Sequence, residues 1–169
     1  MKRILTALLA AAAALLCACA AHDAWETVDG GCIPASGEAA CTIRISLPQD
    51  AAEEVFSARG TQHVYVQPGG GYEITTEILD AAPAASLVRR LSGFDASALH
   101  VYKSGGKSRP VWQFAWYAAS DEGGRMYRCK LISDGAHCYA LTVSVPEGLG
   151  TAYDSMLAEL FASMELQPV

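Results

Sequence analysis

Three consecutive β-rich segments near the C-terminal end constrain the fold of this chain most strongly. The runs 111–118, 125–132 and 136–145 are separated only by short polar and glycine-containing turns, at 120–124 and 133–135. Turns this short leave no room for a crossover connection, so consecutive strands must pair antiparallel. The sequence therefore predicts a three-stranded antiparallel meander.

Helical patterns accompany these strands. The segment from Tyr153 to Met164 carries one apolar stripe at the helical period, formed by Tyr153, Met156, Leu157, Leu160, Phe161 and Met164. Such a stripe is typical of a helix packed on its own sheet. Residues 84–92 predict a second helix, with Gly93 as its terminator. Asp50 and Glu53 have capping-box spacing and predict a short third helix that Gly60 ends.

The remaining segments are β-rich. Residues 42–47 alternate strictly and predict an opening strand. Residues 63–67 and 72–79 flank a proline- and glycine-rich turn and predict a hairpin, with Ile74, Thr76 and Ile78 on one face. Residues 99–102 predict a short strand.

The N-terminus carries an export signal. Lys2 and Arg3 precede an apolar run over residues 4–18, a pattern typical of a secretory signal peptide, and the run is shorter than the about 20 residues that span a bilayer. It ends in Leu16-Cys17-Ala18-Cys19, which resembles a bacterial lipobox with Cys19 as the lipidated residue. The alternative is an ordinary signal peptide cleaved near Ala20 or Ala21, which would release a soluble protein.

This interpretation divides the chain into three parts. Residues 1–18 form the lipoprotein signal peptide, residues 19–40 a tether and N-terminal loop, and residues 41–169 a single domain. Removing the signal takes Lys2 and Arg3 but none of the 18 acidic residues, so the formal net charge falls from −6 to −8. An acidic domain has no electrostatic basis for binding nucleic acid.

Cysteine usage agrees with an oxidising compartment. Once Cys17 leaves with the signal and Cys19 takes lipid, four cysteines remain: Cys32, Cys41, Cys129 and Cys138. An even number predicts two disulfides, and short spacing favours the pairs Cys32–Cys41 and Cys129–Cys138 among the three connectivities. A zinc site that uses His137 beside Cys138 is the rival interpretation, but the close Cys-x2-Cys spacing is absent. No metal and no cofactor are predicted.

Helices that cover an antiparallel sheet define an α+β domain. Over about residues 41–166 the chain resembles the small lipoproteins that share the fold of Mog1 and the photosystem protein PsbP. The resemblance rests on the opening strand from Cys41, the segment 87–95, the aromatic strand 112–117, the hairpin into 138–143 and the ending 160–166. It implies a three-layer sandwich, with an antiparallel sheet flanked by helices, and a binding or accessory role. It carries no catalytic set.

Two sets of side chains are candidates for function. Aromatic residues predict a candidate binding surface, made of Tyr65, Tyr72, Trp112, Trp116 and Tyr117, although Trp112, Phe114 and Trp116 share a face and most of them are expected in the core. His63, His100 and His137 have no catalytic spacing, but the fold could still bring one beside an acid and a nucleophile.

Taken together, the sequence predicts a lipoprotein held on the extracytoplasmic face of a cell membrane. Its expected role is that of a binding or accessory module for an envelope protein or other envelope component. The alternative is an envelope hydrolase with a site assembled only in space, and a purely structural envelope component is a third interpretation.

Overall fold

The computed structural model describes residues 25–30, 39–54, 62–120 and 123–169. The predicted signal peptide, Cys19 and Cys32 lie outside these residues. Ten strands are present in the described part: β1 (Trp25–Gly30), β2 (Cys41–Pro48), β3 (Ala52–Glu54), β4 (Gln62–Val66), β5 (Glu73–Asp80), β6 (Tyr102–Gly105), β7 (Pro110–Ser120), β8 (Gly123–Ser133), β9 (His137–Pro146) and β10 (Glu165–Pro168).

Seven of these strands form one antiparallel sheet in the order β3-β4-β5-β9-β8-β7-β6. The predicted hairpin forms β4 and β5, and the predicted meander forms β7, β8 and β9. Alternation fixes the two faces of this sheet, and Ile74, Thr76 and Ile78 are all buried on one of them, as predicted. The strand expected at 99–102 begins later, as β6 at Tyr102, and a 3₁₀ turn at Ala96–Ala98 precedes it.

The other three strands form a small sheet with β2 at its centre. Strand β1 pairs along six residues of β2, from Trp25 opposite Pro48 to Gly30 opposite Ile43, and β10 pairs with the other edge of β2. Strand β1 lies in the segment that the sequence assigned to the tether, and β10 was not predicted. Ile43 and Ile45 of β2 are completely buried, so this small sheet is part of the core.

Two helices are present in the described residues: α1 (Ala84–Ser92) and α2 (Asp154–Ser163). Helix α1 ends, as predicted, at Gly93, which has φ 80° and donates its amide to the Arg89 carbonyl. Helix α2 follows a 3₁₀ turn at Gly150–Tyr153 and contacts β2, where the Ser46 amide donates to Ser163 Oγ at 3.0 Å. Neither helix of the described residues has the length and apolar character that a membrane-spanning segment needs.

These elements make three layers with two cores. One core lies between the large sheet and the layer formed by the small sheet and α2, and it includes Ile43, Tyr139 and Leu160. The other lies between the opposite face of the large sheet and α1, and it includes Val88 and Phe114. The predicted α+β three-layer sandwich, an antiparallel sheet flanked by helices, is therefore confirmed.

The short helix predicted around Asp50 is wrong for the part that the structure describes, because Ala52–Glu54 is strand β3. Asp50 does not cap a helix. Its carboxylate accepts hydrogen bonds from the Tyr72 hydroxyl at 2.5 Å and from Gln67 Nε2 at 2.6 Å. These two bonds join the turn after β2 to the β4–β5 hairpin.

Candidate functional site

The predicted aromatic surface is not formed, which corrects that interpretation. Tyr65, Tyr72 and Trp116 are buried, with exposed fractions of 4%, 2% and 7%, and Trp112 is partly buried. Of the five predicted residues, only Tyr117 is exposed, at 41%. The aromatic side chains are therefore mostly core.

The register of the large sheet explains this burial. Trp116 lies opposite Tyr127 on the face that α1 covers, and the two rings stack with centroids 5.0 Å apart. The rings of Phe114 and Trp116 also stack, with centroids 5.6 Å apart. Tyr65 and Tyr72 belong to the core on the opposite face, beneath the small sheet and α2. The expectation that most of the aromatic strand is core is confirmed, and the expectation of a shared aromatic surface is wrong.

The predicted disulfide between Cys129 and Cys138 is also not formed. Both are free, buried thiols, because Cys129 lies opposite Thr142 and Cys138 opposite Ser133. This register displaces the two cysteines by four positions, about 13 Å along the strands, whereas a disulfide spans at most about 7 Å between Cα atoms. Cys41 is likewise a free, buried thiol, and its predicted partner Cys32 lies outside the described residues.

The three histidines of the domain lie on separate elements. His63 is on β4 and contacts Glu53 of β3, with 2.7 Å between Nδ1 and Oε1. His137 begins β9 and has a buried Nδ1 without a hydrogen-bond partner in the described structure, while His100 precedes β6. His137 and the adjacent Cys138 point to opposite faces of their strand, and no group of three metal-ligating side chains occurs among the described residues.

A groove runs between α2 and the part of the large sheet that this helix leaves uncovered. It has a volume of about 580 Å³. Its floor is formed by side chains of β7 and β8 that face α2, its wall by one side of the helix, and His100 lies at its margin. The residues that line it are His100, Gln113, Phe114, Ala115, Arg128, Cys129, Lys130, Ala158, Phe161 and Ala162. The side chains of Phe114 and Cys129 belong to the core on the opposite face of the sheet. We refer to this feature as the α2 groove.

Sheet register places the polar side chains of the floor. Gln113 lies directly opposite Lys130, and Ala115 directly opposite Arg128. Because opposite residues of an antiparallel pair share a face, these four side chains form one block beside the helix. The groove is open to solvent, because four of its lining residues are exposed: Gln113, Ala115, Ala158 and Ala162. Three of these are alanines, so small side chains form much of its boundary.

Both cations of the floor also contact α2. Arg128 forms an ion pair with Asp154 at the start of the helix, with 2.8 Å between Nη2 and Oδ1. Lys130 Nζ donates to the carbonyl oxygen of Phe161 in the last turn, at 2.5 Å. Partial burial lowers the pKa of Lys130. Among the ion pairs of the described residues, none includes Lys130, so its ammonium has a carbonyl partner but no carboxylate.

Sequence reasoning did not identify the α2 groove. Arg128 and Lys130 are two positions apart on a predicted strand, so alternation places them on one face. That signal was available, but the position of α2 relative to β7 cannot be read from either segment alone. The lining residues include neither a carboxylate nor a serine, so the described groove gives His100 no partner set of the kind that a hydrolase would use.

Comparisons with known proteins support the fold. No protein-family model matches the chain, and no curated protein matches it. Among solved structures, cyanobacterial PsbP from Synechocystis sp. PCC 6803 matches with a TM-score of 0.58 at 10% identity, over 80% of this chain and 98% of that one. LpqN of Mycobacterium tuberculosis, described as involved in cell envelope biogenesis, matches with a TM-score of 0.53 at 12% identity. This match covers 86% of this chain and 93% of LpqN.

A variant of Mog1 matches with a TM-score of 0.51 at 12% identity, over 75% of this chain and 92% of that one. A protein from Bacteroides thetaiotaomicron matches with a TM-score of 0.50 at 14% identity. The match covers 74% of this chain, which spans only 45% of the length of that protein. At these identities the likeness concerns the fold alone. The chain has the Mog1/PsbP-like α+β fold.

Proposed function

We propose that this protein is a lipid-anchored, extracytoplasmic binding or accessory module that engages its ligand in the α2 groove. The observation that carries the proposal is the groove itself, an open concavity of about 580 Å³ with a mixed polar and apolar lining. Such concave sites with a few converging polar groups are the usual places for ligands.

The proposed location depends on the N-terminal sequence. A lipobox-like ending at Cys19 would place the domain on the outer face of a cell membrane, where two or more acyl chains give stable anchoring. LpqN, a structural neighbour, is described as involved in cell envelope biogenesis, which supports an envelope role. An envelope protein or another envelope component is the proposed partner.

Membrane fractionation tests the anchor. We expect Cys19→Ser to move the full chain from the membrane fraction to the soluble fraction. Cys17→Ser is the matched control, since the proposed cleavage removes Cys17, and it should leave the protein in the membrane. Unchanged fractionation of the Cys19 variant would contradict lipid anchoring at this residue.

Site-specific photo-crosslinking in intact cells tests the groove. A photoreactive residue in place of Ala162, on the groove wall, should give a defined crosslinked product. The same residue in place of Ala85 is the control, because Ala85 is exposed on α1 on the opposite side of the large sheet. Filling the groove with Ala158→Trp should abolish the Ala162 product. Equal products from Ala85 and Ala162, or insensitivity to Ala158→Trp, would count against binding in the α2 groove.

A further inference from the structure

The positive charge of Lys130 in the α2 groove has no carboxylate partner among the described residues. Its side chain is partly buried, and its ammonium donates to the carbonyl of Phe161. Arg128, two residues earlier on the same face, has a carboxylate partner in Asp154, whereas no ion pair of the described residues includes Lys130. A cation taken partly out of water normally has an anionic partner, because burial penalises its charged form.

A structural role accounts for only part of this arrangement. The C-terminal end of a helix carries a partial negative charge, so a lysine that donates to the last turn of α2 stabilises the helix. That partial charge is equivalent to roughly half an elementary charge, and the ammonium has two further donors beyond the one that Phe161 accepts. The lining of the groove offers Lys130 no carboxylate.

We propose that the α2 groove binds the anionic group of a ligand, a carboxylate or a phosphate, with Lys130 as its principal contact. This inference deepens the proposed function and rests on it. Arg128, whose Cα lies about 7 Å from that of Lys130 along the strand, adds a second positive charge nearer the start of α2, and its guanidinium has donors that Asp154 does not use. Gln113, directly opposite Lys130, supplies a neutral amide that can donate to the same group.

The rest of the lining specifies the other part of the ligand. Ala115, Ala158 and Ala162 present methyl groups and leave the space that larger side chains would fill. A volume of about 580 Å³ fits a small molecule. The expected ligand therefore joins one anionic group to a compact apolar part. The two sources of such a group are a free soluble anion and the headgroup of a lipid.

Titration of the full chain in non-ionic detergent tests the inference, with backbone amide NMR shifts as the readout. The probes are inorganic phosphate, acetate and dihexanoyl phosphatidylglycerol below its micelle concentration, each against sodium chloride at equal ionic strength. We expect saturable shifts at Gln113 and Lys130. Binding of the free ions would assign a soluble anion, and binding of the lipid alone would assign a headgroup.

Two variants locate the binding site independently. Lys130→Met should weaken binding about tenfold, as expected for the loss of one charge-assisted contact. Gln113→Glu, at an exposed position, should weaken it at least as much by placing a carboxylate beside Lys130, and it removes neither partner of the bond between Lys130 and Phe161. The controls Lys107→Met and Gln167→Glu change the same charges at exposed positions outside the groove and should leave the affinity unchanged.

The inference is overturned if none of the probes binds, or if Gln113→Glu binds them as tightly as the parent chain does. Lys130 would then serve only to hold α2. That result is distinct from failure of the proposed function, because groove-dependent crosslinking from Ala162 would persist if the groove takes a ligand without an anionic group. If no probe binds and no groove-dependent crosslink forms from Ala162, the groove is rejected as a binding site.

Discussion

The hydroxyl of Tyr139 donates a 2.7 Å hydrogen bond to the carboxylate of Asp134, five residues earlier in the chain. Asp134 lies in the turn between β8 and β9, and it also accepts the backbone amides of Ala136 and His137. Partial burial raises the pKa of Asp134, but these three hydrogen bonds and the electrostatic effect of His137 together lower it by more, so its pKa lies below the ordinary value. The bond therefore joins the centre of one core to the turn that sets the register of the meander.

Tyr139→Phe should lower the free energy of unfolding by about 1 kcal/mol at pH 7, because the carboxylate loses one hydrogen bond and is partly exposed. An acid whose pKa is depressed by folding stabilises the protein above its unfolded pKa, and this contribution is lost as the pH falls through the folded pKa. The difference between parent and variant should therefore shrink as the pH falls below the ordinary range of aspartate. Urea denaturation at pH 7 and pH 3 measures it. In a chain that carries Asp134→Asn, the effect of Tyr139→Phe on stability should no longer depend on pH. An equal effect of Tyr139→Phe at pH 7 and pH 3 in the parent chain would contradict the hydrogen bond to an ionised Asp134.

Thr76 has a fully buried hydroxyl that finds no hydrogen-bond partner in the described structure. Thr76→Val keeps the shape of the side chain and removes the unpaired polar atom, so it should raise the free energy of unfolding by about 1 kcal/mol. Thr75→Val is the control: it lies next to Thr76 on β5, is partly exposed and faces the other side of the sheet. Chemical denaturation of both variants gives the comparison, and a destabilised Thr76→Val protein would show that the hydroxyl has a partner.

The described thiols should be unreactive in the folded protein. Cys41, Cys129 and Cys138 are buried, and burial raises the pKa of the Cys129 thiol to about 12. At pH 8 we expect little alkylation of these three residues by iodoacetamide in native buffer and full alkylation in guanidinium chloride, measured by peptide mass. A disulfide-linked peptide containing Cys129 and Cys138 in the unreduced protein would contradict the register of β8 and β9.

Gly93 and Gly106 offer a matched pair of substitutions. A Cβ at either position would meet no atom within 4 Å, but Gly93 has φ 80° and Gly106 has no positive φ. Gly93→Ala should therefore cost about 1 kcal/mol of stability through backbone strain at the end of α1. Gly106→Ala should change stability by less than about 0.5 kcal/mol. Thermal unfolding of both variants measures the difference, and equal effects would show that the left-handed backbone is not the cause.

Elements with strong local patterns were predicted well from the sequence. The meander follows from alternating runs joined by short turns, and α2 follows from its apolar stripe, in which Leu157 and Leu160 are buried as expected. Helix α1 has the predicted bounds because Gly93 ends it. In each case the information lies within about a dozen neighbouring residues, where the periodicity of side chains reports directly on the buried face.

Features that depend on distant partners were not predicted. Strands β1 and β10 are short and form only because both pair with β2. The spacing of Cys129 and Cys138 suggested a cross-strand pair, but a tight turn set a different register. The α2 groove arises where the helix stops covering β7, and this depends on how α2 packs on β2 and the sheet.

The position of β2 between β1 and β10 has a consequence for any shortened form of the chain. A chain that starts at Cys41, where sequence patterns alone place the domain boundary, would lack β1 and leave one side of β2 with open backbone donors and acceptors. Exposed strand edges of this kind recruit other chains. Strand β1 therefore keeps β2, with its buried Ile43 and Ile45, from becoming an edge strand of the small sheet, and a chain without β1 should self-associate more readily than the full chain.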